Sequence, residues 1–117
     1  HDGKGTILFR RLWNPDSFKS KFYVFSHAVI PAGSSIGYHQ HNTREEIYYV
    51  IEGSGRYTVN DSTFAVGQGD ALPCRIQDAH GIYNDSGSDL EILIFSVSLK
   101  KGEVTDEINL GDDLTRR

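Results

Sequence analysis

The sequence predicts an all-β chain folded as a jelly-roll barrel, and three observations predict it. Helical periodicity is sustained nowhere, short runs rich in Val, Ile, Tyr, Phe and Thr recur along the chain, and clusters of Gly, Asn, Asp and Ser separate those runs. A chain of 117 residues fits one domain, expected over residues 1–117 with a barrel core at about 7–99. Six Tyr, six Phe and one Trp supply enough bulk to fill its interior without disulfides.

Nine strands are expected in chain order: Thr6–Leu12, Lys21–Ile30, Gly37–His41, Glu46–Glu52, Arg56–Val59, Thr63–Val66, Asp70–Leu72, Ala79–Asn84 and Leu90–Leu99. Asn14-Pro15-Asp16 breaks the chain after the first of these, and 31–35 and 84–89 read as longer turns. Asn60-Asp61 predicts a tight hairpin, because Asn and Asp tolerate the positive φ that such a turn requires. From Lys101 onward charged and polar residues dominate, with Val104, Ile108, Leu110 and Leu114 as the apolar exceptions. A loosely attached tail or a short terminal helix is expected over 101–117. The first strand carries Phe9, Leu12 and Trp13 and is apolar enough to pair with the sheet of a neighbouring protomer.

Twelve basic and sixteen acidic residues give a formal charge of -4, and basic residues occur in runs no longer than two. Such a chain has no basic face for phosphate backbones or anionic membranes, so neither nucleic acid nor membrane is an expected partner. Every apolar run is far shorter than the roughly 18–20 residues that cross a bilayer. Cys74 is the single cysteine, which rules out an intramolecular disulfide and makes the cytoplasm the default expectation. The sequence opens on His1-Asp2 and contains no Met, so its start is expected upstream, which leaves a cleaved leader open.

The segment from Gly33 to Gly53 carries the chemistry. Alternation along a strand places His39 and His41 on one face, with Tyr38 and Gln40 on the other. Glu46 opens the next strand, and its carboxylate can join the two imidazoles if both strands share a sheet. Two His and a carboxylate on one face with open positions form a recurrent site for first-row metals, although an HxH in a strand can equally be two solvated histidines.

The spacing Gly33, five residues, HxH, four residues, Glu46, six residues, Gly53 resembles the first motif of the cupin family. Gly69, ten residues, His80, three residues, Asn84 resembles the second in length, and the short interval between them is similar to that of compact microbial cupins. The resemblance spans roughly Ile7 to Leu99. Cupins usually carry Pro and Gly where this chain has Arg75 and Gln77, so a reshaped turn is expected before His80.

The resemblance implies a double-stranded β-helix, the jelly-roll cupin barrel, holding one divalent transition-metal ion through His39, His41, Glu46 and His80. That donor set suits Fe(II), Mn(II), Ni(II), Co(II), Cu(II) or Zn(II) and disfavours calcium. It also implies a homodimer and a small-molecule ligand. Two functions follow. One is a metalloenzyme acting on an oxygen-chelating substrate, by dioxygenase, isomerase, cyclase or lyase chemistry; the other is a non-catalytic metal-containing module that binds a sugar or organic acid. A metal-free barrel is a third reading, opposed by all four ligand positions being filled.

Tyr48 and His27 are the candidates for acid/base or substrate-orienting roles. Tyr48 and Val50 share parity with Glu46, and Ile82 with His80, which directs all three to the interior. Interior aromatics are more often core than contacts, and a mid-strand His27 is as readily a hydrogen-bonded core group. Cys74 reads as a structural thiol, His1 as a solvated terminus, and Asn84 as a residue that fixes the turn after His80.

Overall fold

A computed structural model describes residues 1–101, 107–111 and 113–117. Among the described residues ten strands form two antiparallel sheets of a jelly roll: β1 Leu8–Trp13, β2 Phe22–Ile30, β3 Ser35–His41, β4 Arg44–Glu52, β5 Ser54–Val59, β6 Ser62–Gly67, β7 Ala71–Cys74, β8 Ala79–Tyr83, β9 Leu90–Ser98 and β10 Glu107–Asn109. The order is β1-β2-β9-β4-β7 in one sheet and β10-β3-β8-β5-β6 in the other. All nine expected strands are present, and β1 pairs with β2 of its own chain. Among the described residues no helix is long and apolar enough to cross a membrane.

Period-two alternation sets which side chains enter the barrel. In β2, Val24, Ser26, Ala28 and Ile30 are buried; in β4, Glu46, Tyr48 and Val50; in β9, Leu90, Ile92, Ile94 and Ser96. Ile30, Val50, Tyr57, Ile82, Leu90 and Ile92 belong to one apolar cluster. Along β4 and β9 the inward positions change from Val50 and Ile92 to Glu46 and Ser96. The polar site therefore rests on a hydrophobic floor.

The turns follow their chemistry. Asn60 and Asp61 adopt φ 46° and 67°, closing the β5–β6 hairpin with Val59 opposite Ser62. Asn14 caps a 3-10 turn over Pro15–Ser17, its side chain accepting from the Asp16 N–H. Gly53 ends β4 at φ 91°, and a Cβ there would lie 2.4 Å from the Asp89 carbonyl oxygen. In the turn before His80, Gln77 holds φ 70°, the left-handed conformation glycine favours, and donates its N–H to the His41 carbonyl at 2.7 Å. Arg75, where cupins usually place Pro, donates its N–H to Asp78 Oδ2 at 2.9 Å. A backbone hydrogen bond at Gln77 and a side-chain one at Arg75 thus take over what Gly and Pro would supply.

The C-terminal segment contains a short terminal helix as expected, a 3-10 turn, but also a strand that was not expected. Glu107–Asn109 pairs with β3, setting Glu107 opposite His41 and Asn109 opposite His39. Leu114, on a 3-10 turn Leu114–Arg116, is buried against Tyr38 and Ala79, and Arg117 lies over the Tyr38 ring at 4.7 Å. The cause is the outer face of β3 and β8, where Tyr38 and Ala79 need cover. Val104 lies outside the described residues.

Asn84 locks the β8–β9 connection. Its Nδ2 donates to the carbonyls of Ile30 (2.8 Å) and Ser88 (2.7 Å), and its Oδ1 accepts from Ser86 N–H and Oγ–H at 2.9 and 2.6 Å. Since removal strands a buried carbonyl, Asn84→Ala should lower stability by about 2–3 kcal/mol in chemical denaturation. An unchanged midpoint and slope would contradict this role.

Candidate metal centre

His39, His41, Glu46 and His80 converge. One donor atom from each lies within 4.8 Å of the others, and all four residues are buried. The β3–β8 ladder sets His39 directly opposite His80, the HxH alternation adds His41, and Glu46 reaches across from the other sheet. Glu46 Oε1 stands 3.3 Å from both His41 Nε2 and His80 Nε2, and His39 Nε2 is 3.0 Å from His41 Nε2.

Outer hydrogen bonds decide which nitrogen faces inward. His39 Nδ1–H donates to the Gly37 carbonyl at 2.6 Å, which leaves the Nε2 lone pair facing the cluster. The Tyr57 hydroxyl lies 2.7 Å from His80 Nδ1 and 3.4 Å from the Pro73 carbonyl, which holds the His80 ring with Nε2 toward the cluster. His41 is set differently. The Arg44 Nε–H donates to its Nδ1 at 3.1 Å, so its Nε2 carries the proton and donates toward Glu46. Ligation through His41 Nε2 requires that proton to leave or move to Nδ1, where Glu107 Oε1 waits 3.9 Å away. Arg44 itself pairs with Glu107. Glu46 Oε2 accepts from Ser96 Oγ–H at 2.7 Å.

Burial alone would raise the Glu46 pKa, but hydrogen bonds from His41 and His80 outweigh it and hold the carboxyl well below its ordinary value. Burial, with repulsion from His80 second, lowers His39 to about 3; burial also lowers His80, against the hydrogen bond it donates to Glu46. At neutral pH the cluster therefore offers one carboxylate, with His39 and His80 as neutral imidazoles. Buried donors this close need a proton or a cation between them, so this set could hold a metal ion.

Tyr48 lies beside the cluster as expected: it is buried, its ring sits 4.6 Å from that of His80, and burial, with the Glu46 charge second, raises its pKa well above the phenol range. It stays a hydrogen-bond donor. His27 does not join the site. Ser26 and Ala28 face inward, so His27 faces out, 3.5 Å from Glu91 and part exposed; the nomination of His27 as a contact is corrected by strand parity. His1 also differs from a solvated terminus, stacking on the His39 ring at 3.7 Å with its Nδ1 2.8 Å from Asn109 Oδ1. Cys74 is buried near the Asp78 carbonyl, with burial first and the Glu46 charge second pushing its thiol up to about 12. Arg44, Tyr57 and Glu107 were not singled out from sequence. Arg44 falls within the four residues between HxH and Glu46, and Tyr57 shows the alternation that turns it inward, but nothing local marks Glu107.

A cavity of about 550 Å³ opens beside the cluster. Its lining includes Glu46 and His39 together with Arg11, Val24, Ser26, Arg44, Tyr48 and Ile94.

The depressed pKa values make the ion-free protein acid-sensitive. A His39 that stays neutral to about pH 3, against an ordinary value of 6.5, contributes stability in full above 6.5 and loses it progressively down to about 3. Glu46 acts in the same direction below its ordinary value of 4.5. In chelator-treated protein, unfolding free energy should fall from pH 6.5 toward 4, and His39→Asn should flatten the slope by up to about 1.4 kcal/mol per pH unit. A flat profile, or one unaltered by the substitution, would contradict the assignment.

Comparison with known proteins agrees with this architecture. The chain is 35% identical over 93 residues to an uncharacterized protein of Methanocaldococcus jannaschii, covering 80% of this chain and 74% of that one. It is 31% identical over 97 residues to a Thermotoga maritima protein named oxalate-binding protein, covering 83% and 80%. A crystal structure named as a predicted oxalate decarboxylase from T. maritima superposes with a TM-score of 0.80 at 31% identity, over 83% of this chain and 84% of that one. Residues 26–96 match the Cupin domain family, and with its two-sheet jelly roll and paired motifs the chain belongs to the cupin family.

Proposed function

We propose that this protein is a metal-dependent small-molecule cupin enzyme whose substrate is a small acid that chelates the ion through adjacent oxygens. The observation that carries the reading is the convergence: His39, His41, Glu46 and His80, all buried, bring one donor atom each within 4.8 Å of the others. His39, His41, Glu46 and His80 would hold the ion. A divalent ion there supplies Lewis acidity to a chelated carbonyl or carboxylate.

This chain's own residues do the rest. Tyr48, held protonated, can donate a hydrogen bond to substrate beside His80. Ser96 and Arg44 orient and neutralise Glu46, and Val24 and Ile94 keep one cavity wall apolar. The relative named as oxalate-binding supports an oxygen-rich acid as ligand. That name also favours a second reading, a module that holds metal and acid without turnover.

Protein made without a histidine tag should contain about one divalent transition-metal ion per chain by elemental analysis, and His39→Ala and His80→Ala should lose it. Tyr48→Phe should keep the ion and lose turnover of enediols, oxo acids or sugar phosphates. Metal content near zero in wild type would sink the reading, full turnover in Tyr48→Phe would remove Tyr48 from it, and saturable acid binding without turnover would favour the module.

We propose in addition that two copies pack through the outer face of the sheet that contains β1. Leu8, Trp13, Ile47, Tyr49 and Val97 stand exposed on that face, flanking the stacked rings of Phe25 and Phe95. An apolar face of this extent marks an association surface. Light scattering should give about twice the 13.1 kDa chain mass, and Trp13→Glu with Ile47→Lys should return it to one chain. A wild-type monomer at micromolar concentration would contradict the assembly.

A further inference from the structure

The cavity is too large, and too differentiated, for the smallest chelating acids alone. Oxalate has six non-hydrogen atoms and would displace only a few waters of ~30 Å³ each, against a cavity of about 550 Å³. The remainder has its own chemistry. Ser26 is fully buried, lines the cavity, and its Oγ has no hydrogen-bond partner. An unsatisfied buried hydroxyl costs stability and calls for a partner that the fold does not supply.

Arg11 stands beside it. The β1–β2 register puts Arg11 directly opposite Ser26, and Arg11 also lines the cavity. Among the described residues Arg11 forms no ion pair, whereas the other cavity arginine, Arg44, is engaged by His41 and Glu107. Of the acids at the cavity, Glu46 belongs to the cluster and Glu107 to Arg44, while Asp2 comes from the N-terminal segment. The free positive charge therefore lies at the Ser26 end.

The two ends are separated by measurable structure. Ser26 lies on β2 and Glu46 on β4, with β9 between them, so their backbones stand two strand spacings apart, roughly 10 Å. Between them Val24 and Ile94 form an apolar wall.

We infer that Arg11 and Ser26 form a second anchor, for the far carboxylate of a dicarboxylic acid whose near end chelates at the histidine–glutamate cluster. The inference rests on the metal reading and specifies its ligand class: 2-oxo or 2-hydroxy dicarboxylates of about four to six carbons. The guanidinium takes the carboxylate as a planar fork, the Ser26 hydroxyl donates to it, and the carbon chain lies against Val24 and Ile94.

Calorimetric titration of the metal-loaded protein with 2-oxo diacids and with 2-oxo monoacids of equal length tests this. Wild type should prefer the diacids by tenfold or more; Arg11→Gln should abolish the preference, and Ser26→Ala should reduce it several-fold. Oxalate, too short to reach the anchor, should bind all three alike. Ser26→Ala should also unfold no more easily than wild type, because it removes an unpaired hydroxyl. Equal affinity of wild type for diacids and monoacids, or a preference that survives both substitutions, would overturn the inference. Ion content measured on the same samples tests the metal reading by itself, so a protein that holds its ion without preferring diacids overturns only the second anchor.

Discussion

Burying three imidazoles and a carboxylate at one point is costly unless their polar atoms satisfy one another or a cation does so. Much of the described architecture serves that constraint. The β3–β8 register sets His39 against His80, while the parity of β4 sends Glu46 inward from the opposite sheet. Gly37, Tyr57 and Arg44 then fix each ring from outside. Beneath the cluster the apolar floor of Ile30, Val50, Ile82 and Ile92 keeps the rings from collapsing into the barrel, because those positions are already filled.

Terminal segments complete what the barrel leaves open. β10 lays Glu107 beside His41 and Arg44, and the His1 ring covers His39. The cavity wall therefore includes residues far from either motif in sequence, and the Arg44 side chain that donates to His41 is paired with one of them. Arg44 is central to this arrangement, since it contacts a cluster imidazole, approaches the cluster carboxylate, and ties the C-terminal strand to both.

The barrel was legible because alternation is a backbone property: every inward position in β2, β4 and β9 follows from period two. The same rule would have placed His27 outside, since Val24, Ala28 and Ile30 already define the inward phase; its chemistry outweighed its parity in the sequence reading. Four converging donors were legible from motif spacing. Glu107 was not, because three residues of strand flanked by charge carry no periodic signal, and their pairing depends on the exposed edge of β3. Gln77 shows the converse, where a departure from the usual glycine leaves the φ intact because Gln77 N–H is bound to the His41 carbonyl.

The central claim is that His39, His41, Glu46 and His80 surround one ion. X-ray absorption at the metal edge of tag-free protein tests it most directly. The account predicts a first shell of nitrogen and oxygen donors with the multiple-scattering signature of about three imidazoles, and loss of the metal edge in His80→Ala. A spectrum without imidazole scattering, or one unchanged by removing His80, would contradict it.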